Sequence, residues 1–306
     1  MVTKKKIIVV PQAGLGNRMR VLASAVQLAK RDNRELVIAW PVNEALGCEL
    51  TDIFQSIGME YSVPPQWLNL LLTNIYRPGT NSRFYGFLKF FSKLFSGQTL
   101  FDSDIRDDQT NRVKQLKISS EESTVLVATC FPFGDQAVEE TYNDYMKNEE
   151  LAEQFANFKF SEILKERVKQ EYQKIGEQYV GIHIRRTDHV HTTRDSPDEN
   201  YIVQIDRYLA ENPTQKFLLA TDDEPTKVFF KQKYGELMHV FNHKIGRDDL
   251  EGIYGGVVEL LMLAHSSKII CSCKSSYSNT AIVLGGIKEI VYIDTHVFDM
   301  ARPMQA

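Results

Sequence analysis

The sequence predicts an α/β protein built from two Rossmann-like, doubly wound domains. Along the 306-residue chain, short apolar runs of strand type alternate with longer amphipathic segments of helix type. This alternation is typical of parallel sheets, because parallel strands need long crossover connections. The length also suffices for two domains, each with its own core. We expect an N-terminal domain over residues 1–165 and a C-terminal domain over 166–306, with the boundary in a charged helical stretch at 151–176.

The first domain opens with a βαβ pattern, and the second repeats the strand-helix alternation. Apolar runs with β-branched residues predict strands, and longer periodic segments predict helices. The N-terminal elements are a strand at 7–10, a turn at 11–16, a helix at 18–31 and strands at 35–40 and 124–129. The C-terminal elements are strands at 179–184, 216–221, 237–241, 269–271 and 290–293, with helices at 200–212, 225–234 and 254–265.

Residues 61–111 are rich in aromatic side chains and form the least regular part of the pattern. Between Arg83 and Phe95, apolar residues recur at helical spacing beside basic ones. Two interpretations stay open: a helix that packs on its own domain or forms one wall of the acceptor cleft, or a helix that lies peripherally on a membrane surface. No segment reaches the length of about 20 apolar residues that a membrane span needs.

The run V-G-I-H-I-R-R-T-D, from Val180 to Asp188, carries the strongest functional signal. Its first half alternates like a strand, and the strand is followed directly by Arg185 and Arg186. Open α/β sheets bind ligands at the carboxyl ends of their strands, and the planar arginine fork suits phosphate oxygens. The residues therefore predict a phosphate site. The alternative is a solvated surface, on which Asp188 pairs with Arg185 or caps the next segment.

The segment H-I-R-R-T-D closely resembles the H-x-R-R-x-D motif of the α1,6-fucosyltransferases, which include rhizobial chitin-oligosaccharide enzymes and animal core fucosyltransferases. The resemblance implies a B-type glycosyltransferase fold, with two Rossmann-like domains that face a cleft. It also implies inverting transfer of L-fucose from GDP-β-L-fucose to a glycan hydroxyl, with α1,6 linkage and without a metal or other cofactor. His183 would then lie by the base, Arg185 by the β-phosphate and Arg186 by the diphosphate or fucose, while Asp188 has no assigned role in the catalytic motif.

The N-terminal turn A-G-L-G-N-R-M-R follows a strand and opens a helix. As a dinucleotide fingerprint it is incomplete, because Met19 stands where a third glycine is needed. The turn resembles the G-x-G-N-[RQ] motif of several fucosyltransferase families. That resemblance implies that Gly14 and Gly16 permit the turn while Asn17 and Arg18 face the ligand. Asn17 is alternatively a simple helix cap.

Two further motifs complete the resemblance. The segment A-T-D-D-E-P, from Ala220 to Pro225, looks like a D-D-x-P-type segment in which Asp222 holds the arginines, binds sugar hydroxyls or stabilises a helix N-terminus. Farther on, Glu259 matches an acidic helix position that is aspartate in the α1,6 enzymes. A carboxylate there accepts hydrogen bonds from the ring N–H and 2-amino group of guanine, which adenine does not offer. Ser275 and Ser276 match a serine pair beside the diphosphate.

Composition limits the other classes of function. A net charge of −4 without a broad basic face argues against nucleic-acid binding. Four irregularly spaced cysteines favour a reducing compartment. Animal enzymes of the resembled family are Golgi proteins with membrane anchors, so the resemblance implies a bacterial, cytoplasmic member here. The pairs Cys271-x-Cys273 and His189-x-His191 are weak metal signals, and we expect no metal site. The expected partners are GDP-fucose and a glycan acceptor.

Three alternatives to a fucosyltransferase stay open at this point. They are a transferase for another GDP-sugar, a catalytically silent GDP-sugar-binding protein and, from the N-terminal glycines, an NAD(P)-dependent oxidoreductase.

Overall fold

The computed structural model describes residues 4–75, 90, 97–107, 112–113, 118, 122–134, 149–176, 178–186, 195–273 and 275–294. The chain divides into two compact units. The N-terminal unit comprises Met1–Ser161 with Arg247–Leu250, and the C-terminal unit comprises Glu162–Gly246 with Glu251–Ala306. The division after Ser161 falls within the charged stretch in which the sequence predicts a boundary.

The N-terminal unit contains a five-stranded parallel sheet. Its strand order is β4-β2-β1-β8-β5, and two short antiparallel pairs, β3 with β9 and β6 with β7, lie outside it. The strands are β1 (Lys6–Pro11), β2 (Glu35–Ile38), β3 (Phe54–Ser56), β4 (Tyr61–Ser62), β5 (Gln98–Phe101), β6 (Arg106–Asp107), β7 (Arg112–Val113), β8 (Thr124–Thr129) and β9 (Lys159–Phe160). The helices are α1 (Leu15–Arg31), α2 (Leu50–Ile53), α3 (Gln66–Ile75), α4 (Asp102–Ile105) and α5 (Glu149–Ala156).

Helix α1 is the central helix of this unit. Twelve of its 17 residues are buried, including Arg18 and Arg20, so it is covered on more than one side. A separate apolar cluster joins the sheet to α3 and includes Val10, Leu72 and Leu126. Burial of such side chains contributes about 25 cal/mol per Å² of apolar surface removed from water. The unit therefore has its own core.

The C-terminal unit contains a second five-stranded parallel sheet. Its strand order is β12-β11-β10-β13-β14, which places β10 in the middle. The strands are β10 (Tyr179–Ile184), β11 (Lys216–Thr221), β12 (Met238–Val240), β13 (Lys268–Ser272) and β14 (Glu289–Ile293). The helices are α6 (Glu162–Ile175), α7 (Asp198–Glu211), α8 (Glu224–Tyr234), α9 (Leu250–Ala264) and α10 (Ser276–Gly285).

Two glycines allow neighbouring segments to pack closely in the C-terminal unit. A Cβ on Gly181, in the centre of β10, would lie 2.7 Å from Ser266 Oγ, just beyond the end of α9. Along α9, a Cβ on Gly255 would lie 2.0 Å from the carbonyl oxygen of Lys244, so the segment before the helix lies directly on it. Helix α9 begins at Leu250, four residues before the predicted start at 254. The glycines lower the intrinsic helix propensity, but tertiary packing selects the helix.

The prediction of two parallel α/β domains is confirmed. Strands β8, β10 and β11 have the predicted bounds, and α1 begins at Leu15, three residues before the predicted start. The segment between Arg83 and Phe95, with its open choice between packing and membrane contact, lies outside the described residues except for Phe90, which is exposed. Among the helices that the structure describes, none is long and apolar enough to cross a membrane.

Candidate active site

The carboxyl ends of three neighbouring strands bring the motifs of the C-terminal unit together. His183 on β10 lies opposite Ala220 on β11 and opposite Cys271 on β13. Because the strands are parallel, the residues that follow them lie at one edge of the sheet. The arginine pair, the acidic segment and the serine pair are far apart in the sequence, but each follows one of these strands.

Arg185 is held at this edge by two polar contacts. Its Nη1 lies 3.1 Å from Oδ2 of Asp222, and its backbone N–H donates to Ser272 Oγ at 2.9 Å. The side chain is 19% exposed, so the guanidinium is oriented by the protein while part of it still reaches solvent. A cation that is fixed but not enclosed suits the binding of an anionic ligand.

The two aspartates of the acidic segment have different roles. Besides its pairing with Arg185, Asp222 accepts the backbone N–H of Arg186 at its Oδ1, at 2.8 Å. Asp223 caps helix α8, since its Oδ2 accepts the N–H of Thr226 at 2.9 Å and the Thr226 hydroxyl at 2.6 Å. In this structure Asp222 therefore contacts both arginines and Asp223 caps the helix, while the binding of sugar hydroxyls by Asp222 stays a prediction.

Arg186 is bound to the protein more fully than its neighbour. Its Nη1 donates to the carbonyl oxygens of Arg185 and Ser196, both at 3.1 Å, and its Nη2 pairs with Asp198 at the start of α7. The guanidinium carbon also lies 6.0 Å from the ring centre of Tyr201. The described contacts make Arg186 a brace for the turn after β10, and its predicted contact with the diphosphate or fucose stays a prediction.

His183 is buried and uncharged at neutral pH. Burial, with a smaller effect from the Arg185 cation, lowers the pKa of His183 to about 3. Its Nδ1 shares a hydrogen bond of 2.6 Å with Ser278 Oγ, and its ring lies 4.9 Å from the ring of Tyr277. The neutral imidazole therefore acts here as a hydrogen-bonding and packing group rather than as a cation.

Glu259 lies on α9 and is only 3% exposed. Burial raises its pKa well above the usual range; the Lys227 cation opposes this rise and the Asp222 carboxylate adds to it. The preceding turn of the helix is tied to α10, because the Tyr277 hydroxyl donates to the Gly256 carbonyl at 2.5 Å. The sequence interpretation of Glu259 as a buried carboxyl, rather than an exposed one, agrees with its position.

The serine pair begins helix α10. Ser275 is the N-cap, with its Oγ accepting the Ser278 N–H at 3.4 Å, and Ser276 is the first helical residue. The first backbone N–H groups of a helix have no partner within it, and the helix dipole favours an anion at this end. The pair therefore stands at a position with the right polarity for phosphate. Its predicted contact with a diphosphate stays a prediction.

In the N-terminal unit, the turn after β1 has a different construction. Ala13 adopts a positive φ of 65°, whereas Gly14 is the N-cap of α1 at φ −75°, a value that any residue adopts. A Cβ on Gly14 would meet nothing within 4 Å, so packing does not demand glycine there. Asn17 makes no cap hydrogen bond; its Oδ1 accepts from Arg20.

Arg18 is fully buried and bonded to protein oxygens. Its Nε donates to the Ala13 carbonyl at 2.7 Å, its Nη1 to the Pro41 carbonyl, and its Nη2 to Asn43 Oδ1 at 3.1 Å. Trp40 lies under the guanidinium, 4.6 Å away. Burial lowers the Arg18 pKa to about 10, which still leaves it charged at neutral pH. The described hydrogen bonds of the guanidinium go to oxygens of the protein. In this structure Arg18 would therefore affect a ligand indirectly, by holding the turn in its conformation.

Several predicted residues lie outside the described part of the chain. They are Asp188, His189 and His191, so the third member of the arginine motif and the H-x-H pair have no structural account. None of the four cysteines forms a disulfide, and Cys271 and Cys273 are buried. Within the described ranges, no group of three or more His, Cys, Asp or Glu side chains is arranged to hold a metal ion.

The structure adds residues that sequence reasoning missed. Tyr277 and Ser278 contact His183, and Asp198 pairs with Arg186. A signal for the first two was present, because they directly follow the serine pair at the start of a helix. Asp198 had no comparable signal, since its pairing depends on how the chain returns to the strand edge.

Comparison with solved structures identifies the class of fold. Both units together have the B-type glycosyltransferase fold with two Rossmann-like domains. No protein-family model and no curated protein sequence matches the chain.

Fucosyltransferases, the class whose motifs the sequence resembles, are among the matching structures. Fucosyltransferase NodZ from Bradyrhizobium matches with a TM-score of 0.60 and 19% identity, over 94% of this chain and 95% of that chain. FUT1 of Arabidopsis thaliana, in a variant complexed with GDP, gives 0.59 and 18% over 94% of this chain and 70% of that one. POFUT1 in complex with GDP-fucose gives 0.54 and 12% over 96% and 98%. At these identities the similarity shows the shared fold.

Proposed function

We propose that the protein is an inverting fucosyltransferase that moves L-fucose from GDP-β-L-fucose to a hydroxyl of a glycan acceptor. The observation that carries the proposal is the fixed, partly exposed Arg185 at the carboxyl edge of the second sheet, where helix α10 also begins. An oriented guanidinium and a helix N-terminus suit a diphosphate. Support for guanosine comes from the shared fold, since matching structures were obtained with GDP or GDP-fucose.

In the proposed reaction, Arg185 stabilises the leaving group. The bond between fucose and the β-phosphate breaks ahead of acceptor attachment, so negative charge grows on the phosphate as the sugar becomes oxocarbenium-like. A preorganised cation at that oxygen lowers the barrier, because it interacts more strongly with the transition state than with the ground state. We assign this charge stabilisation to the arginine rather than to a metal. Asp222 keeps the guanidinium in position through its pairing at 3.1 Å.

Base recognition is the second part of the proposal. Glu259 would accept the ring N–H and the 2-amino group of guanine, with neutral His183 beside the base and Ser275 and Ser276 at the phosphates. The burial of Glu259 supports this assignment, because a buried carboxyl needs hydrogen-bond partners that a ligand can supply.

We assign acceptor binding to the N-terminal unit and α1,6 as the linkage to test first, with a chitin oligosaccharide as the first acceptor. Asn17, in the first turn of α1, is the first residue to examine there. A bacterial source and a cytoplasmic location stay predictions.

The deciding experiment is a GDP-release assay over several sugar nucleotides and glycan acceptors, with mass analysis of the product. We expect GDP-fucose to give acceptor-dependent GDP release and a product heavier by one deoxyhexose. Efficient transfer from another GDP-sugar instead would reassign the donor. A thermal shift with NAD(P) and none with GDP would reject the nucleotide-sugar site altogether, and GDP binding without turnover on any acceptor would indicate a silent binding protein.

A further inference from the structure

One carboxyl oxygen of Glu259 is enclosed without a hydrogen-bonding partner among the described residues. The residue is 3% exposed, and its Oε1 is fully buried with no partner among the residues that the structure describes. A buried polar atom without a partner is unusual, because its hydrogen bonds to water are lost on folding and no protein hydrogen bond replaces them. Such an oxygen belongs to a protonated carboxyl group, or it receives its hydrogen bond from a bound ligand, or both.

Charged and titratable groups from several elements lie around Glu259. Lys227 faces it from α8, Asp222 from the end of β11, and Tyr277 from α10. His243 belongs to the segment before α9 and packs against the helix one turn before Glu259, since its Cδ2 would be 2.8 Å from a Cβ on Gly255.

These groups do not neutralise a carboxylate by direct contact. The ammonium of Lys227 pairs with Glu224 on its own helix at 2.8 Å, and the Tyr277 hydroxyl donates to the Gly256 carbonyl. Asp222 carries a charge of the same sign, although it is itself paired with Arg185. Burial of His243 lowers the pKa of its imidazole and so disfavours its cationic form. The ligand-free Glu259 therefore lacks a bonded cation within the described structure, and its pKa is raised well above 4.5 by burial.

Guanine would reverse the preference of the buried Glu259 carboxyl for its protonated form. Its Watson–Crick edge offers two adjacent donors, the ring N–H and the 2-amino group, beside one acceptor, O6. An ionised carboxylate accepts from both donors, whereas a neutral carboxyl accepts the ring N–H and donates its own proton to O6. The ionised form thus gains the 2-amino contact, and the two donors compensate its charge inside the protein.

We propose that guanine binding expels the proton of Glu259, so that the site binds GDP more tightly, and distinguishes it from IDP more strongly, as the pH rises. In this step the carboxyl O–H bond breaks, the proton passes to buffer, and two N–H···O hydrogen bonds form. The proposal rests on the proposed function, because it takes Glu259 as the group that contacts the base. It adds a pH-dependent selectivity that the contact alone does not require.

The direction of the effect follows from linkage. A group that loses a proton on binding strengthens binding as the pH rises toward the pKa of the free protein, by up to about tenfold per pH unit. Above that pKa the free protein is already ionised and the dependence ends. IDP lacks the 2-amino group, so it gains less from ionisation of Glu259, and the ratio of the two affinities must also rise with pH.

The test is calorimetric titration with GDP and IDP from pH 5.5 to 8.5, in buffers of different ionisation enthalpy, which gives the number of protons released. The β-phosphate of the nucleotide also titrates in this range, so each count is compared with that of Glu259→Gln, in which only the phosphate contributes. A glutamine is a close steric match for a neutral glutamic acid, so this variant keeps the ligand-free structure. Glu236→Gln, which alters a fully exposed carboxylate of the same unit, is the matched control.

We expect the parent protein and Glu236→Gln to release up to one proton more per bound GDP than Glu259→Gln does. The preference for GDP over IDP should rise with pH in those two proteins and stay flat in Glu259→Gln. Equal proton counts in all three proteins, with GDP bound by each, would overturn the proposal while leaving a GDP site in place. If Glu259→Gln binds no GDP, Glu259→Asp is titrated in its place. The proton release of the β-phosphate alone is then taken from the ionisation of ADP. Proton release by Glu259→Asp that does not exceed this phosphate contribution would equally overturn the proposal.

Failure of the proposed function has a different signature. In that case the parent protein binds GDP at none of these pH values, or binds GDP and ADP equally, whatever its proton count.

Discussion

Arg185 and Arg18 both follow the central or near-central strand of a parallel sheet, one in each unit, yet the protein uses them differently. Arg18 is fully buried, and its guanidinium donates to two carbonyl oxygens and an amide oxygen. Arg185 keeps 19% of its side chain exposed and has an aspartate as its ion-pair partner. The first arginine closes a turn, whereas the second is oriented by a carboxylate and is still partly exposed to solvent.

The difference shows that an arginine in a loop motif is not by itself a ligand contact. Neutral carbonyl oxygens accept hydrogen bonds from the N–H groups of a guanidinium but do not neutralise its charge. Such an arginine therefore has a structural role, in which it links the segments that carry those carbonyls. A carboxylate partner fixes the direction of the guanidinium, and partial exposure leaves room for a second anion. Each prediction below tests this distinction between a structural arginine and a functional one.

The largest expected effect is on Arg185. Arg185→Ala should lower the rate of transfer by about 10²–10³, the usual cost of removing one preorganised charge-stabilising contact, while the protein stays folded. The measurement is kcat for GDP release from GDP-fucose with an acceptor, alongside circular dichroism. Arg207→Ala, which removes an arginine that is 74% exposed on α7, is the control and should keep full activity. A folded Arg185→Ala protein with parental kcat would remove Arg185 from the mechanism.

Arg18 should affect stability before chemistry. Arg18→Met leaves the carbonyls of Ala13 and Pro41 without their donors, so we expect the unfolding free energy of the N-terminal unit to fall by about 2–4 kcal/mol. Urea unfolding followed by Trp40 fluorescence measures it. Arg31→Met changes an arginine of the same helix that is 41% exposed, and it should cost little. Unchanged stability in Arg18→Met, with loss of transfer, would instead make Arg18 a direct ligand contact.

Asp222 should have a smaller effect that depends on Arg185. Asp222→Asn keeps an oxygen for the Arg186 N–H but removes the ion pair, so Arg185 is less well oriented. We expect kcat to fall about tenfold, equivalent to ~1.4 kcal/mol, with little change in the KM for the acceptor. In the Arg185→Ala background the same substitution should add almost nothing, because its target is gone.

The neighbouring aspartate supplies the matched control. Asp223→Asn changes the cap of α8, so it should alter stability by ~1 kcal/mol or less and leave kcat alone. Equal losses of kcat in the two asparagine variants would show that the segment matters only as a helix start.

The sequence was a good guide to the sheets and to the strand-end motifs. Apolar runs set the bounds of β10 and β11 directly, because residues 179–184 and 217–221 are buried and charged residues follow each strand. The burial of Arg18 could not be predicted in this way. Its partners Pro41 and Asn43 lie more than 20 residues along the chain, and only the tertiary course of the loop after β2 brings them to the guanidinium.

The smallest expected effect concerns His183, which lies beside Arg185 but should carry no charge. Its pKa of about 3 means that the ring stays neutral throughout pH 5–8, and NMR shifts of the imidazole should not titrate in that range. In the unfolded chain the histidine takes up a proton below about pH 6.5, so its burial makes the C-terminal unit less stable as the pH falls below that value. His183→Asn should flatten this part of the stability profile. An imidazole that titrates near pH 6.5 in the folded protein would show that the strand end is open to water. That result would weaken the contrast between the oriented, partly exposed Arg185 and the buried Arg18.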